Sequence, residues 1–348
     1  MIGFEWWKNM VNAARFLEDA EEIIEDGKSV VLSFQKNIPW LSIMIDELLR
    51  LVSENCDARS LNVIDTSEVD TTPGEYLFEN FCKKETRHTY WEPVHINHIR
   101  FLSSCETTTL NSCFLCVTGI NNENINEWEQ AIEEYHETCK LEEHCAFILV
   151  AQGEYTGSSP YVECLKFSDY TTDYDCMLLC LNLALELKCS RLKKMYLAEV
   201  ASNIADNNVE IAGLLVSEGE KLIKEPFKTT KEVFEKNCIK YTMLREKVSS
   251  GVWEAQIKLI FPRLEDFRVE MVQKYKAKLK EHLPFTNGIG EIIREPNDLE
   301  IGQIYALRNK ISASSSDKQL IEKMRGARNE IAHHRTVSFD RIRELGIF

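Results

Sequence analysis

KSVVLSFQKNIPWLSIMIDELLRLVSENC, residues 28–56, sets the reading of the chain. Its first seven residues are a short β-branched apolar run between Gly27 and a polar loop, which predicts a buried strand. Pro39 then introduces an apolar-periodic stretch over 40–56, which predicts a helix. Upstream, 4–26 reads as one amphipathic helix, with Phe4, Trp7, Val11, Ala14, Phe16 and Ile23 on its apolar side and Gly27 as its stop.

Downstream the alternation repeats. SLNVID (60–65), SCFLCVTG (112–119), HCAFILVA (144–151) and YVECLKFSD (161–169) read as strands. PGEYLFENFC (73–82) and INEWEQAIEEYHETC (125–139) read as helices, and the less regular 83–111 holds a short helix over 95–104. Strands separated by helices pair in parallel through crossovers, and continuous apolar strands are covered on both faces. The expectation is a three-layer α/β domain with a mostly parallel sheet, followed by an all-α helical-bundle domain.

After Asp169 helical periodicity dominates, over 172–188, 191–206, 209–224, 229–248, 252–281, 298–312, 316–333 and 338–345. Breaks are expected at Pro226, Ser249–Gly251 and LPFTNGIG (283–290), and a kink at Pro262. Trp253, Ile257, Ile260, Phe261, Leu264 and Phe267 read as the buried stripe of the long helix 252–281. The domains expected are 1–170 (α/β), 171–250 (helical connector) and 251–348 (bundle).

An apolar fraction of 44% over 348 residues supports a buried core. No run of eighteen apolar residues exists, and the acidic start lacks the features of a secretory signal, so no membrane role is expected. The twelve cysteines sit mostly in apolar segments, which points to a reducing, cytoplasmic setting. The formal charge is −15, yet residues 301–348 hold nine Lys/Arg against five Asp/Glu. A basic patch on an acidic protein suits a local phosphate contact, such as RNA at the C-terminal segment.

Strand, loop and helix at 28–56 stand where a P-loop NTPase carries GxxxxGK[ST], and the order of elements resembles the AAA and STAND branches of that superfamily. The loop here is QKNIPW (35–40). It has no glycine to form a phosphate nest, Lys36 precedes the helix, and no Ser or Thr follows to hold Mg²⁺. Thr118 stands where a catalytic acid is wanted, and Gln152 only mimics a polar sensor. No ATP hydrolysis and no cofactor are expected. The resemblance implies a degenerate NTPase, serving as a non-catalytic scaffold or sensor of a prokaryotic defence or toxin system through a protein partner. A doubly wound α/β fold with no nucleotide history is the alternative.

Metal sites are not expected. Cys113 and Cys116 lie three apart on one strand and so face opposite sides. His95 and His98, with Cys82, His88 or Cys105 nearby, sit among Tyr90, Trp91 and Phe101, which reads as aromatic packing. The Glu-rich EDAEEIIEDG and EEYHETCKLEEH lack the glycine-centred spacing of a calcium loop. The other tryptophans read as core and docking residues.

KMRGARNEIAHHRTVSFDRIREL (323–345) is the most informative segment for chemistry. Arg328, Asn329 and His333 form R-N-x-x-x-H, with Arg325 three residues earlier. This resembles the R-x(4–6)-H signature of HEPN domains, helical bundles of prokaryotic toxins and anti-phage systems. The resemblance implies metal-independent RNA cleavage. His333 would move a proton to or from the attacking 2′-hydroxyl or the leaving oxygen. Arg328 would stabilise charge on the phosphate, and Asn329 would orient the imidazole or the phosphate. It also implies a homodimer, because such sites are built from two copies. A structural reading stands beside it: Asn329 and His333 bond neighbouring helices, Arg328 pairs with Glu265, Glu300 or Asp298, and Ile331 and Ala332 face a core.

Overall fold

Five strands pair in parallel in the order β2-β3-β4-β1-β5, where β1 is Ser29–Phe34, β2 Ser60–Asp65, β3 Cys113–Ile120, β4 Ala146–Gln152 and β5 Val162–Lys166. The computed structural model describes every residue except 1, 56–58, 141–143, 154, 156, 158 and 289. Cys56 at the end of the expected helix, and Glu142 and Glu143 of the second Glu-rich segment, therefore lie outside the described residues. Register is fixed across the centre by Val30 opposite Ile148 and Phe34 opposite Gln152.

Helices cover both faces. On one side α1 (Val11–Glu25) and α2 (Leu41–Asn55) pack together, and Phe16 of α1 meets Phe34 of β1 edge-on, ring centroids 5.5 Å apart. On the other, α3 (Pro73–Phe81), α4 (His98–Ser104) and α5 (Ile125–Thr138) bury Leu77, Leu102, Trp128 and Tyr135 against Val31, Leu115, Val117 and Leu149. Alternate residues of a strand face opposite sides, so Cys113 joins this second core while Cys116 lies on the other face. Burial pushes the Cys116 thiol up to about 12 and raises Cys113 as well, so both act as small hydrophobes.

The expected single N-terminal helix is broken. Ile2–Phe4 is α-helical, Glu5–Asn9 is π-helical, and Met10 is extended before α1 begins. The wider π turn brings Trp6 and Trp7 inward together, whereas Phe4 (47% exposed) and Val11 (77%) leave the expected apolar side.

The chain divides into two units, Met1–Asp175 and Cys176–Phe348. The first holds 12 Lys/Arg against 32 Asp/Glu, a formal charge of −20; the second holds 29 against 24, or +5. A helix, α6 (Asp173–Ala184), contains the division. The second unit is built from α7 (Arg191–Ala205), α8 (Val209–Ser217), α9 (Pro226–Lys236), α10 (Leu244–Leu259), α11 (Phe261–Lys274), α12 (Ile301–Leu307), α13 (Ser315–Ala332) and α14 (Phe339–Glu344), with shorter helical turns between.

Several boundaries differ from the sequence reading. Ser249–Gly251 lies inside α10, because Gly251 is a packing contact and not a breaker. A Cβ there would stand 2.9 Å from the Ile204 backbone nitrogen, and Asn203 donates to the Gly251 carbonyl. The expected helix 252–281 is interrupted between Leu259 and Phe261, where Pro262 occupies the first turn of a new helix, a position that needs no N–H. Ile257 is exposed, while Ile260 and Leu264 are buried. Phe285–Thr286 and Ile292–Ile293 pair as a small antiparallel hairpin.

Candidate functional site

The first place to look for a site is the carboxyl edge of the sheet. The chain leaves β1 towards β2 and leaves β4 towards β5, in opposite directions, so a crevice opens beyond the neighbouring ends of β1 and β4. The β1–α2 loop fills that position with side chains and carbonyls. Gln152 at the end of β4 donates to the Asn37 carboxamide oxygen, and Ser33 donates to the Gly153 carbonyl at 3.0 Å. Gly153 donates back to Phe34 and has φ +138°, and a Cβ there would meet Asn122 at 2.7 Å.

The loop is tied down from the N-terminus. The Trp7 indole N–H donates to the buried Pro39 carbonyl at 2.7 Å. A Cβ on Gly3 would stand 2.6 Å from the Trp40 ring, so the N-terminal turn lies flat on Trp40. Trp40 itself has φ +44°, a conformation rare for a bulky residue. Lys36 is exposed, and Thr118 spends its hydroxyl on the Ile64 carbonyl at 3.2 Å. At this edge the Gly153 N–H and the Gly153 and Pro39 carbonyls are already engaged.

The aromatic patch around His95 and His98 is a stack. His98 lies against Phe78 with centroids 4.5 Å apart and against Tyr90 at 4.6 Å, and His95 meets Phe101 at 4.9 Å. Trp91, read with this group, is 63% exposed. A different imidazole is buried in the core: His136 bonds Ser29 at 2.9 Å and stacks on Tyr161. Burial, with His144 nearby, lowers its pKa to about 4.

The C-terminal constellation lies at the end of α13. Arg328 and Asn329 are half-buried on the helix, and His333 is exposed just beyond it. The end has a precise hydrogen-bond pattern. His334 takes φ +58° and donates to the Ile331 carbonyl, while Arg335 donates to the Glu330 carbonyl. These are the two bonds of a Schellman motif, with histidine in the left-handed position that glycine usually takes.

Helix α10 holds this end from one side. The Trp253 indole donates to the Ile331 carbonyl at 2.8 Å, and its ring lies 3.9 Å from the His334 ring. One turn later Gln256, fully buried, donates to the Val337 carbonyl and accepts from the Val337 N–H, at 2.7 and 2.8 Å. Two residues of α10 therefore pin the segment 331–337 at both ends. The sequence offered Trp253 as an apolar stripe residue and gave no signal for Gln256; a lone polar residue inside an apolar helical face was the only available hint.

The motif residues are not brought into one cluster. Arg328 and His333 are five apart, roughly 140° round a helix. The Arg328 guanidinium pairs with Glu300 at 3.5 Å, and its Nε is buried without a hydrogen-bond partner among the described residues. Of the acids expected to compete for it, Glu265 instead pairs with Arg268. Ile331 is fully buried as expected, but Ala332 is exposed, because it sits a third of a turn further round.

Comparison with known proteins adds no relative: the chain matches no protein-family model, and no curated protein matches it. Among the described residues, no helix is long and apolar enough to cross a membrane.

Proposed function

We propose that this chain is a non-catalytic scaffold or sensor, whose α/β unit is an NTPase-like domain without its phosphate loop and which acts through a protein partner. Such a component would belong to a prokaryotic defence or toxin system, the setting that the HEPN-like motif suggests. The observation that carries the reading is the Trp7–Pro39 hydrogen bond, which holds a glycine-free loop where phosphate oxygens would need free main-chain N–H groups. Supporting it, β1 lies between β4 and β5, so the loop stands at the crevice where an active relative would hold its nucleotide. Calorimetric titration with Mg-ATP tests it. No heat beyond dilution is expected; tight, Mg-dependent binding overturns the reading.

A second reading is a metal-independent ribonuclease using Arg328, Asn329 and His333. What favours it is the exposure of His333 on a rigidly held helix end in a unit of net positive charge. A second copy would be required, since Arg328 and His333 of one chain diverge. RNA incubated with the protein in EDTA should be cut, and His333→Ala should stop cutting. Because His333 is exposed, the melting temperature should move by no more than about 2 °C. Uncut RNA with the wild-type protein sinks this reading and leaves the scaffold reading standing.

A further inference from the structure

Two guanidinium groups close on one ring between α12 and α13. Arg308, at the end of α12, has its Cζ 3.5 Å from the centroid of Tyr305, and Arg325 of α13 has its Cζ 4.4 Å from the same centroid. Among the described residues neither guanidinium has a carboxylate within ion-pairing distance. The acids nearby in sequence do not answer them: Glu300 pairs with Arg328, Glu330 pairs with Arg341, and Glu322, three residues before Arg325, forms no ion pair with it. One Arg308 donor is used on the Tyr305 carbonyl at 2.6 Å. Each guanidinium carries five N–H donors, so most remain for a ligand.

Two like charges held against one ring repel, and the ring's quadrupole offsets only part of that. A ligand that supplies negative charge would relieve the rest. Both side chains are half-buried, so an anion there is partly desolvated, and charge-assisted bonds from a guanidinium fork are strong in that setting. Arg325 and Asn329 on α13 and His333 at its C-cap follow at intervals of four, along one side of the helix, over roughly 12 Å of axis. Such a stripe is longer than one phosphate group and suits a run of linked phosphates. The surrounding unit is +5, whereas the other unit, at −20, would repel a polyanion.

We propose that Arg308, Arg325 and Asn329, with His333 at the far end, form a binding stripe for the phosphodiester chain of a single-stranded nucleic acid, organised by the Tyr305 ring. The cation on the same side of the helix as His333 is then Arg325, and Arg328 is the partner of Glu300. The inference goes beyond the scaffold reading and does not rest on the ribonuclease reading, because binding needs no cleavage.

Fluorescence anisotropy with labelled oligouridylate and oligothymidylate, in EDTA and over a salt series, tests it on the full chain. Binding of either strand, weakening steeply with salt, is expected. Arg308→Gln and Arg325→Gln should each weaken it about tenfold and lower the salt slope by about 0.7 per contact removed. Arg325→Lys, which keeps the charge and loses the fork, should fall between. Lys231→Gln, an equal loss of charge on α9, should change nothing. No binding by the wild-type chain, or the same effect from Lys231→Gln as from the arginine variants, overturns the proposal. Melting curves of each variant separate lost folding from lost binding. Running the bound oligouridylate on a denaturing gel separates the two ideas: an intact bound RNA ends the ribonuclease reading and supports this one.

Discussion

The Trp7 indole nitrogen donates to the Pro39 carbonyl across 2.7 Å, joining the π-helical N-terminus to the loop that follows the central strand. Trp7 is 1% exposed and packs on Phe34 and Phe167, so one residue supplies both an apolar contact with the sheet and a polar anchor for the loop. Trp7→Phe keeps most of the ring and removes the donor. It should lower stability by roughly 1–3 kcal/mol, the range for a buried group left unpaired. Trp7→Ala should cost about 3–5 kcal/mol. Urea unfolding read by circular dichroism measures both; a Trp7→Phe variant as stable as the wild type would show that the hydrogen bond contributes nothing.

His136 makes the first unit sensitive to acid. Its folded pKa is lowered to about 4, below the 6.5 of an unperturbed imidazole, because burial disfavours the charged form. The unfolded chain therefore binds the proton first. Stability should be intact above about pH 6.5 and should fall as the pH drops towards 4, by roughly 3 kcal/mol in all. His136→Gln keeps an acceptor for the Ser29 hydroxyl and does not titrate. Its unfolding free energy should be flatter across that window; an unchanged slope would place the acid sensitivity elsewhere.

Gly251 and Gly326 both lie inside helices, for different reasons. A Cβ at Gly251 would meet the Ile204 main chain at 2.9 Å, which cannot give without parting α7 from α10. Gly251→Ala should destabilise by roughly 1–3 kcal/mol. A Cβ at Gly326 would meet only the tip of Arg341, which can swing aside. Gly326→Ala trades the half-buried Arg341–Glu330 pair for about 1 kcal/mol of helix propensity, so its net effect should lie within roughly 0.5 kcal/mol of zero. Thermal melts of the two variants should separate clearly.

Gln256 should matter more than its place in the sequence suggests. Gln256→Ala leaves the Val337 N–H and carbonyl buried without their partner, and should cost roughly 2–4 kcal/mol. Amide exchange at Val337 should quicken by more than exchange in the middle of α7. Uniform quickening would mean that the whole unit, and not the segment after α13, depends on this side chain.

The architecture was open to reading from the residues because its signals are local. Runs such as SVVLSF and AFILVA are mostly apolar and buried along their length, as strands covered on both faces are, and helices of period 3.6 separate them. The absence of a phosphate loop was also legible, since a glycine-free QKNIPW cannot offer a nest of main-chain N–H groups. Gly251 and Pro262 misled for one shared reason. Each has a local meaning as a breaker, and a second meaning, as a contact point or a first-turn residue, that depends on neighbours far along the chain.

The candidate site shows the same division. The sequence alone established a helix bearing Arg325, Arg328, Asn329 and His333 in a basic segment. Only the tertiary structure decided that Glu300 engages Arg328, that Tyr305 gathers Arg308 and Arg325, and that Trp253 and Gln256 fix the helix end. Spacing along a chain determines which side of a helix a residue occupies. Which charge meets a carboxylate and which lies on an aromatic ring depends on groups that folding brings close from twenty or more residues away.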